Sequence, residues 1–108
     1  MRKHHRYEFA ALCALLAGLT LTDGAGAADP YEGGQIARRW CEPCHVVAPD
    51  QLGTTGEAPP FTEIAKRPGF DAGQIAMFLL DPHPKMPNMS LTRNEAGDLA
   101  AYIASLKK

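Results

Sequence analysis

Five consecutive residues, Cys41-Glu42-Pro43-Cys44-His45, constrain this chain more than any other part of its sequence. Two cysteines lie three positions apart, and a histidine follows the second one directly. This pattern occurs in three kinds of chemistry: a redox-active dithiol, half of a zinc site, and the covalent attachment of a haem. The choice among the three depends on what the rest of the chain supplies.

The N-terminal segment is typical of a cleaved secretory signal peptide. Basic residues in MRKHHRYE precede a continuous apolar run from Phe9 to Leu21, and Ala25-Gly26-Ala27 fits the rule for cleavage. An uncleaved anchor or a buried helix are the alternatives, but the run is shorter than the ~20 residues that a spanning helix needs. We expect residues 1–28 to be removed and residues 29–108 to form one exported, periplasmic domain without stable membrane insertion.

The expected mature chain is small and mildly acidic. Residues 29–108 hold eight Lys and Arg against ten Asp and Glu, a net charge of −2, whereas the full chain has −1. This balance argues against nucleic acid as a partner. Eighty residues are marginal for a self-sufficient core, and domains this small often need a disulfide, a metal or another aid, so we expect an apolar group from outside the chain.

Capping signals and helical spacing predict an all-α chain with long ordered loops, and no segment has the alternation of a strand. Asp29 followed by Pro30 predicts the start of a first helix. Asp71 with Gln74, and Thr92 with Glu95, have the spacing of capping boxes. The predicted helices cover residues 29–40, a short piece within 61–67, a third helix up to Leu80, and a last helix from Arg93 to Leu106.

The surroundings of Cys41 and Cys44 favour haem attachment over the other chemistries. A zinc site needs four ligands, and no other cysteine remains after residue 28. A thioredoxin-type dithiol follows a strand in a βαβ unit, which is not predicted here. A plain disulfide would close a very short loop and add little stability. Haem attachment uses both thiols and also the adjacent His45, whose Nε2 reaches the iron.

The second axial ligand of such an iron has three candidates in one proline-rich loop: His83, Met86 and Met89. A methionine in a stiff, non-helical loop is a poor core element, which favours a thioether as the ligand over its usual role of filling gaps. His83 would instead give a bis-histidine iron of lower potential. The three side chains recur at every third position, a pattern that also suits copper(I).

These motifs together resemble the class I c-type cytochromes, especially the small bacterial members with one haem, over the whole mature chain. The resemblance rests on the Cys41–His45 motif, on Gly33 eight residues before Cys41, and on DLAAYI at residues 98–103. It implies the cytochrome c fold, with three to five short helices around one covalently attached haem. It also implies that the first helix crosses the last at close range, with glycine at the crossing and Tyr102 packed there.

The resemblance assigns further residues to the haem site. Pro59 or Pro60 corresponds to the loop proline whose carbonyl accepts from His45 Nδ1–H. Pro59 is preferred, because Phe61 then lies two residues further on, at the family's haem-packing position. The axial methionine precedes the aromatic of the last helix by about sixteen residues in the small members, which fits Met86 and not Met89. The resemblance therefore implies covalent attachment at Cys41 and Cys44 with His45 and Met86 as axial ligands.

The function implied is electron transfer in the periplasm, not enzymatic catalysis. With both axial positions filled, no open position remains for a substrate. The expected partners are redox proteins: a dehydrogenase, a quinol-oxidising complex, or a terminal oxidase or reductase. Two alternatives remain, a dedicated haem subunit of a larger dehydrogenase or oxidase complex, and a haem gas sensor or peroxidase with a labile methionine ligand.

Overall fold

The protein is described by a computed structural model that covers residues 26–54, 56–82 and 84–108. The helices in this part of the chain are α1 (Pro30–Ile36), a π-helical segment (Ala37–Cys41), α2 (Phe61–Ala65), α3 (Ala72–Leu80) and α4 (Arg93–Ser105). The same residues contain no strand, which confirms the all-α prediction. Most of the predicted signal peptide, and His83, lie outside the described residues.

Three helix starts have the caps that the sequence predicts. The Asp29 side chain accepts from the N–H of Tyr31, with Pro30 in the first helical position. The Asp71 side chain accepts from the Gln74 N–H at the start of α3. Thr92 and Glu95 form a complete capping box at the start of α4. These bonds satisfy backbone donors that a helix leaves unpaired at its first turn.

The first helix differs from its prediction in one respect. Residues 29–40 were expected to form one helix, but α1 ends at Ile36 and the chain continues as a π-helix to Cys41. The Glu42 N–H donates to the Ala37 carbonyl oxygen at 3.1 Å, the wider spacing of a π-turn. Such wide turns occur often at functional sites, and this one ends at Cys41, the first residue of the two-cysteine motif.

The crossing of α1 with α4 organises the fold. A Cβ atom built on Gly33 would collide with the backbone carbonyl of Asp98, so only glycine fits this contact. Tyr102 packs against Gly34 next to it, where a Cβ would lie 3.2 Å from the ring. Both predictions from the resemblance, the glycine crossing and the position of Tyr102, are confirmed.

Many side chains of the core around this crossing are small. Its larger members are Phe61, Leu79, Leu99 and Ile103. Alanine recurs among the other buried apolar residues: Ala37, Ala48, Ala65, Ala96 and Ala100. Since small side chains bury little apolar area each, this core supports the expectation that another apolar group completes it. None of the helices in the described ranges is long and apolar enough to cross a membrane.

Candidate haem site

A cavity of about 200 Å³ brings together the residues that the sequence singles out. Its wall is almost entirely apolar and draws on the π-helix, α2, α3, α4 and the methionine loop. The lining residues are Cys41, His45, Phe61, Ile64, Arg67, Ile75, Phe78, Leu79, Met86 and Ile103. Met86 is one of the lining residues, and Met89 is not.

His45 is held with one ring nitrogen fixed and the other available. Its side chain is 8% exposed, and Nδ1 lies 2.6 Å from the Pro59 carbonyl oxygen. Because a carbonyl oxygen only accepts, Nδ1 carries a proton and donates it, so in the neutral imidazole Nε2 is the nitrogen with the lone pair. A hydrogen bond of this kind orients a ligating imidazole and raises its basicity. The contact with Pro59 is the one that the resemblance implies.

Phe61 supports the same ring from another direction. Its side chain is 3% exposed, and its ring centroid lies 5.0 Å from that of His45 at an interplanar angle of 52°. The Phe61 N–H donates to the Val46 carbonyl oxygen at 3.0 Å, which joins the start of α2 to the residue after His45. Packing and backbone bonding therefore both restrict the imidazole.

The two cysteines are free thiols with different surroundings. Cys41 is buried in the cavity wall, whereas Cys44 is exposed. Burial, with a smaller contribution from Cys44, raises the pKa of the Cys41 thiol to about 11. The Cys41 thiol is therefore neutral near pH 7, which suits an apolar wall.

A second loop closes over the turn between the cysteines, and sequence reasoning missed it. The Thr54 hydroxyl donates to the Pro43 carbonyl oxygen at 2.7 Å. A Cβ atom on Gly56 would lie 2.6 Å from Cys44 Cα, so this loop approaches the turn as closely as glycine allows. The Gln51 side chain, in the same loop, bonds to backbone atoms of Glu42, His45 and Val47. The many polar residues and glycines of the loop were the only sequence signal for this arrangement.

The residues present fit a haem. An apolar wall with one imidazole nitrogen and one thioether offers the ligand types of haem iron in cytochromes c. The thiols of Cys41 and Cys44, which form no disulfide, would attach the haem. The wall has one charged lining residue among those described, Arg67. An all-α fold with this wall defines a haem-binding protein of the cytochrome c class.

Comparison with known proteins identifies the family. The chain is 49% identical, over 96 residues, to cytochrome c-552 of Bradyrhizobium diazoefficiens, and the aligned region covers 89% of this chain and 92% of that protein. The chain belongs to the small bacterial c-type cytochromes. It is accordingly an electron carrier with haem c as its cofactor type and redox proteins as its partners, and not an enzyme. No protein-family model matches the chain, and no solved structure gives a significant match.

Proposed function

We propose that this chain is a periplasmic electron carrier with one haem c, attached through Cys41 and Cys44 and ligated by His45 and Met86. The observation that carries the proposal is the single apolar wall that contains Cys41, His45 and Met86 together. Residues 1–28 act as the signal peptide in this proposal, and residues 29–108 are the mature domain. The haem, when bound, supplies a one-electron couple between Fe(II) and Fe(III).

The chain's own residues set the properties of that couple. His45, whose ring is oriented by the bond to Pro59, would present Nε2 as a ligand to the iron. A thioether ligand such as Met86 raises the reduction potential because soft sulfur favours Fe(II). The apolar wall excludes water and disfavours the additional charge of Fe(III). With both His45 and Met86 as ligands, the haem would have no open position for a substrate and would support electron transfer alone.

Partner proteins would approach where the site meets solvent. Cys44 is exposed, in contrast to Cys41, so the surface around Cys44 and the Met86 loop is the proposed route for electrons. The mature charge of −2 gives little long-range steering. Short-range contacts, and not a strong field, would then select the partner.

The experiment is to express the full chain in a bacterium that attaches haem c and to isolate the exported protein. We expect the mass of the cleaved chain plus one haem, and a low-spin spectrum with a thioether-to-iron(III) charge-transfer band. The reduced protein should respond slowly to carbon monoxide, oxygen and peroxide. A prompt, complete change with carbon monoxide would contradict the carrier and favour a sensor or peroxidase. Co-purification with a stable redox enzyme would favour a dedicated subunit.

A further inference from the structure

We infer that Gln51 is a positioning residue that holds the backbone around His45 in its ligating form. The inference rests on the proposed ligation by His45. Gln51 lies in the loop after the two-cysteine motif, and its side chain is partly buried. Its carboxamide turns back onto the motif instead of pointing to solvent.

The carboxamide bonds to the chain on both sides of Val46. Its Oε1 accepts from the Val47 N–H at 2.8 Å, and its Nε2 donates to the His45 carbonyl oxygen at 2.9 Å. A primary amide offers donors and an acceptor side by side, so one planar group satisfies two backbone groups that flank one residue. The peptide units directly after His45 are thereby fixed relative to the loop.

The Gln51 Nε2 atom also contacts the turn between the two cysteines and the loop that contains Gln51 itself. Nε2 lies 3.3 Å from the Glu42 carbonyl oxygen and 3.0 Å from that of Gly53. Glu42 lies between the two cysteines, so a single side chain contacts the attachment turn and the axial histidine. Pro59 fixes the imidazole ring through Nδ1, while Gln51 fixes the main chain that bears it. The two constraints together determine the direction in which His45 Nε2 points.

The alternative is that Gln51 merely stabilises an exposed loop. Val47 is fully buried, and a buried N–H that loses its acceptor is costly to the fold whatever its role in ligation. A test therefore needs one measurement of the bond from the Val47 N–H to Gln51 and a second measurement of the orientation of the His45 imidazole. Amide exchange at Val47 serves for the first. The hyperfine-shifted haem-methyl resonances of the ferric protein serve for the second, because their spread depends on the orientation of the axial imidazole.

The experiment compares Gln51→Met, Gln51→Glu and the control Gln35→Met in the haem-loaded protein. Gln51→Met keeps an unbranched chain without the amide, and Gln51→Glu keeps the acceptor without the donor. Gln35 is exposed on α1, so its variant should match the wild type. We expect Val47 exchange to be about tenfold faster in Gln51→Met, the effect of losing roughly one hydrogen bond. Gln51→Glu should keep the slow exchange.

Both Gln51 variants should change the spread of the haem-methyl resonances, because both lose the donor to the His45 carbonyl. A wild-type spread in either variant overturns the inference and leaves Gln51 a loop-stabilising residue. Where Gln51→Met yields no folded protein, Gln51→Glu decides alone. Absence of haem from the wild-type protein would instead be a failure of the proposed function.

Discussion

The Tyr102 hydroxyl donates a hydrogen bond to the Val47 carbonyl oxygen at 2.6 Å, across 55 positions of sequence. It joins α4 to the segment that carries His45, and so links the helix crossing to the haem site. Burial raises the pKa of Tyr102, so its hydroxyl stays protonated and able to donate at neutral pH. The Tyr102 hydroxyl therefore connects the crossing of α1 and α4 to the backbone next to the haem site.

Tyr102→Phe should lower the free energy of unfolding by about 1 kcal/mol, because the ring packing remains while the bond to Val47 is lost. Chemical denaturation of the purified protein measures the change. Tyr31→Phe is the matched control, since Tyr31 is 70% exposed, and it should have no measurable effect. Equal losses in the two variants would contradict a specific role for the Tyr102 hydroxyl.

Gly33→Ala should destabilise the protein by about 2–3 kcal/mol, because the added methyl collides with the Asp98 backbone and forces α1 away from α4. Gly97 is the matched control. It lies in α4, and a Cβ atom there meets nothing within 4 Å. Gly97→Ala should therefore be neutral or stabilise by up to about 1 kcal/mol through helix propensity. Thermal unfolding of both variants tests the pair, and a tolerated Gly33→Ala would show that the crossing can open without cost.

Local signals made part of this fold predictable. Asp29, Asp71 and Thr92 cap their own helices, and a cap depends only on residues two or three positions away. His45 could also be predicted as a ligand from local sequence, because it directly follows Cys44 in the two-cysteine motif. The close approach at Gly33 is not local, and it came from the resemblance to a family.

Features that depend on the path of a loop escaped prediction. Gln51 contacts Glu42 nine positions earlier, and nothing in a run of loop residues indicates which way a glutamine turns. Gly56 is required by the backbone of Cys44, a contact between two loop segments. No local signal in the sequence indicates the change from α-helix to π-helix at Ala37.

Glu95 should make stability depend on pH in the acid range. Its pKa is held below the ordinary value of 4.5 by bonds from the Thr92 backbone and hydroxyl. A carboxyl whose folded pKa is depressed contributes stability above its unfolded pKa and loses it as the pH falls through the folded pKa. The advantage of the wild type over Glu95→Gln should thus shrink as the pH drops below 4.5. Denaturation curves at several pH values test this, and a constant difference would refute it.

Replacing both Cys41 and Cys44 by alanine should abolish covalent haem retention and leave a poorly folded chain. The physical reason is the small size of the domain, whose core consists largely of alanines and gains the apolar surface of the haem. Mass spectrometry reports attachment, and near-ultraviolet circular dichroism reports side-chain packing. A well-packed variant without haem would show that the polypeptide core suffices alone.

Met86→Ala should abolish the thioether-to-iron(III) charge-transfer band, whereas Met89→Ala should leave it in place. The reason is position: Met86 lines the cavity with His45, and Met89 does not line it. The reduction potential should fall in Met86→Ala, because the soft ligand that favours Fe(II) is lost. Absorption spectra of the two ferric variants, prepared side by side, decide the matter. If the band disappears in Met89→Ala and survives in Met86→Ala, the ligand is Met89 and the loop adopts another path around the iron.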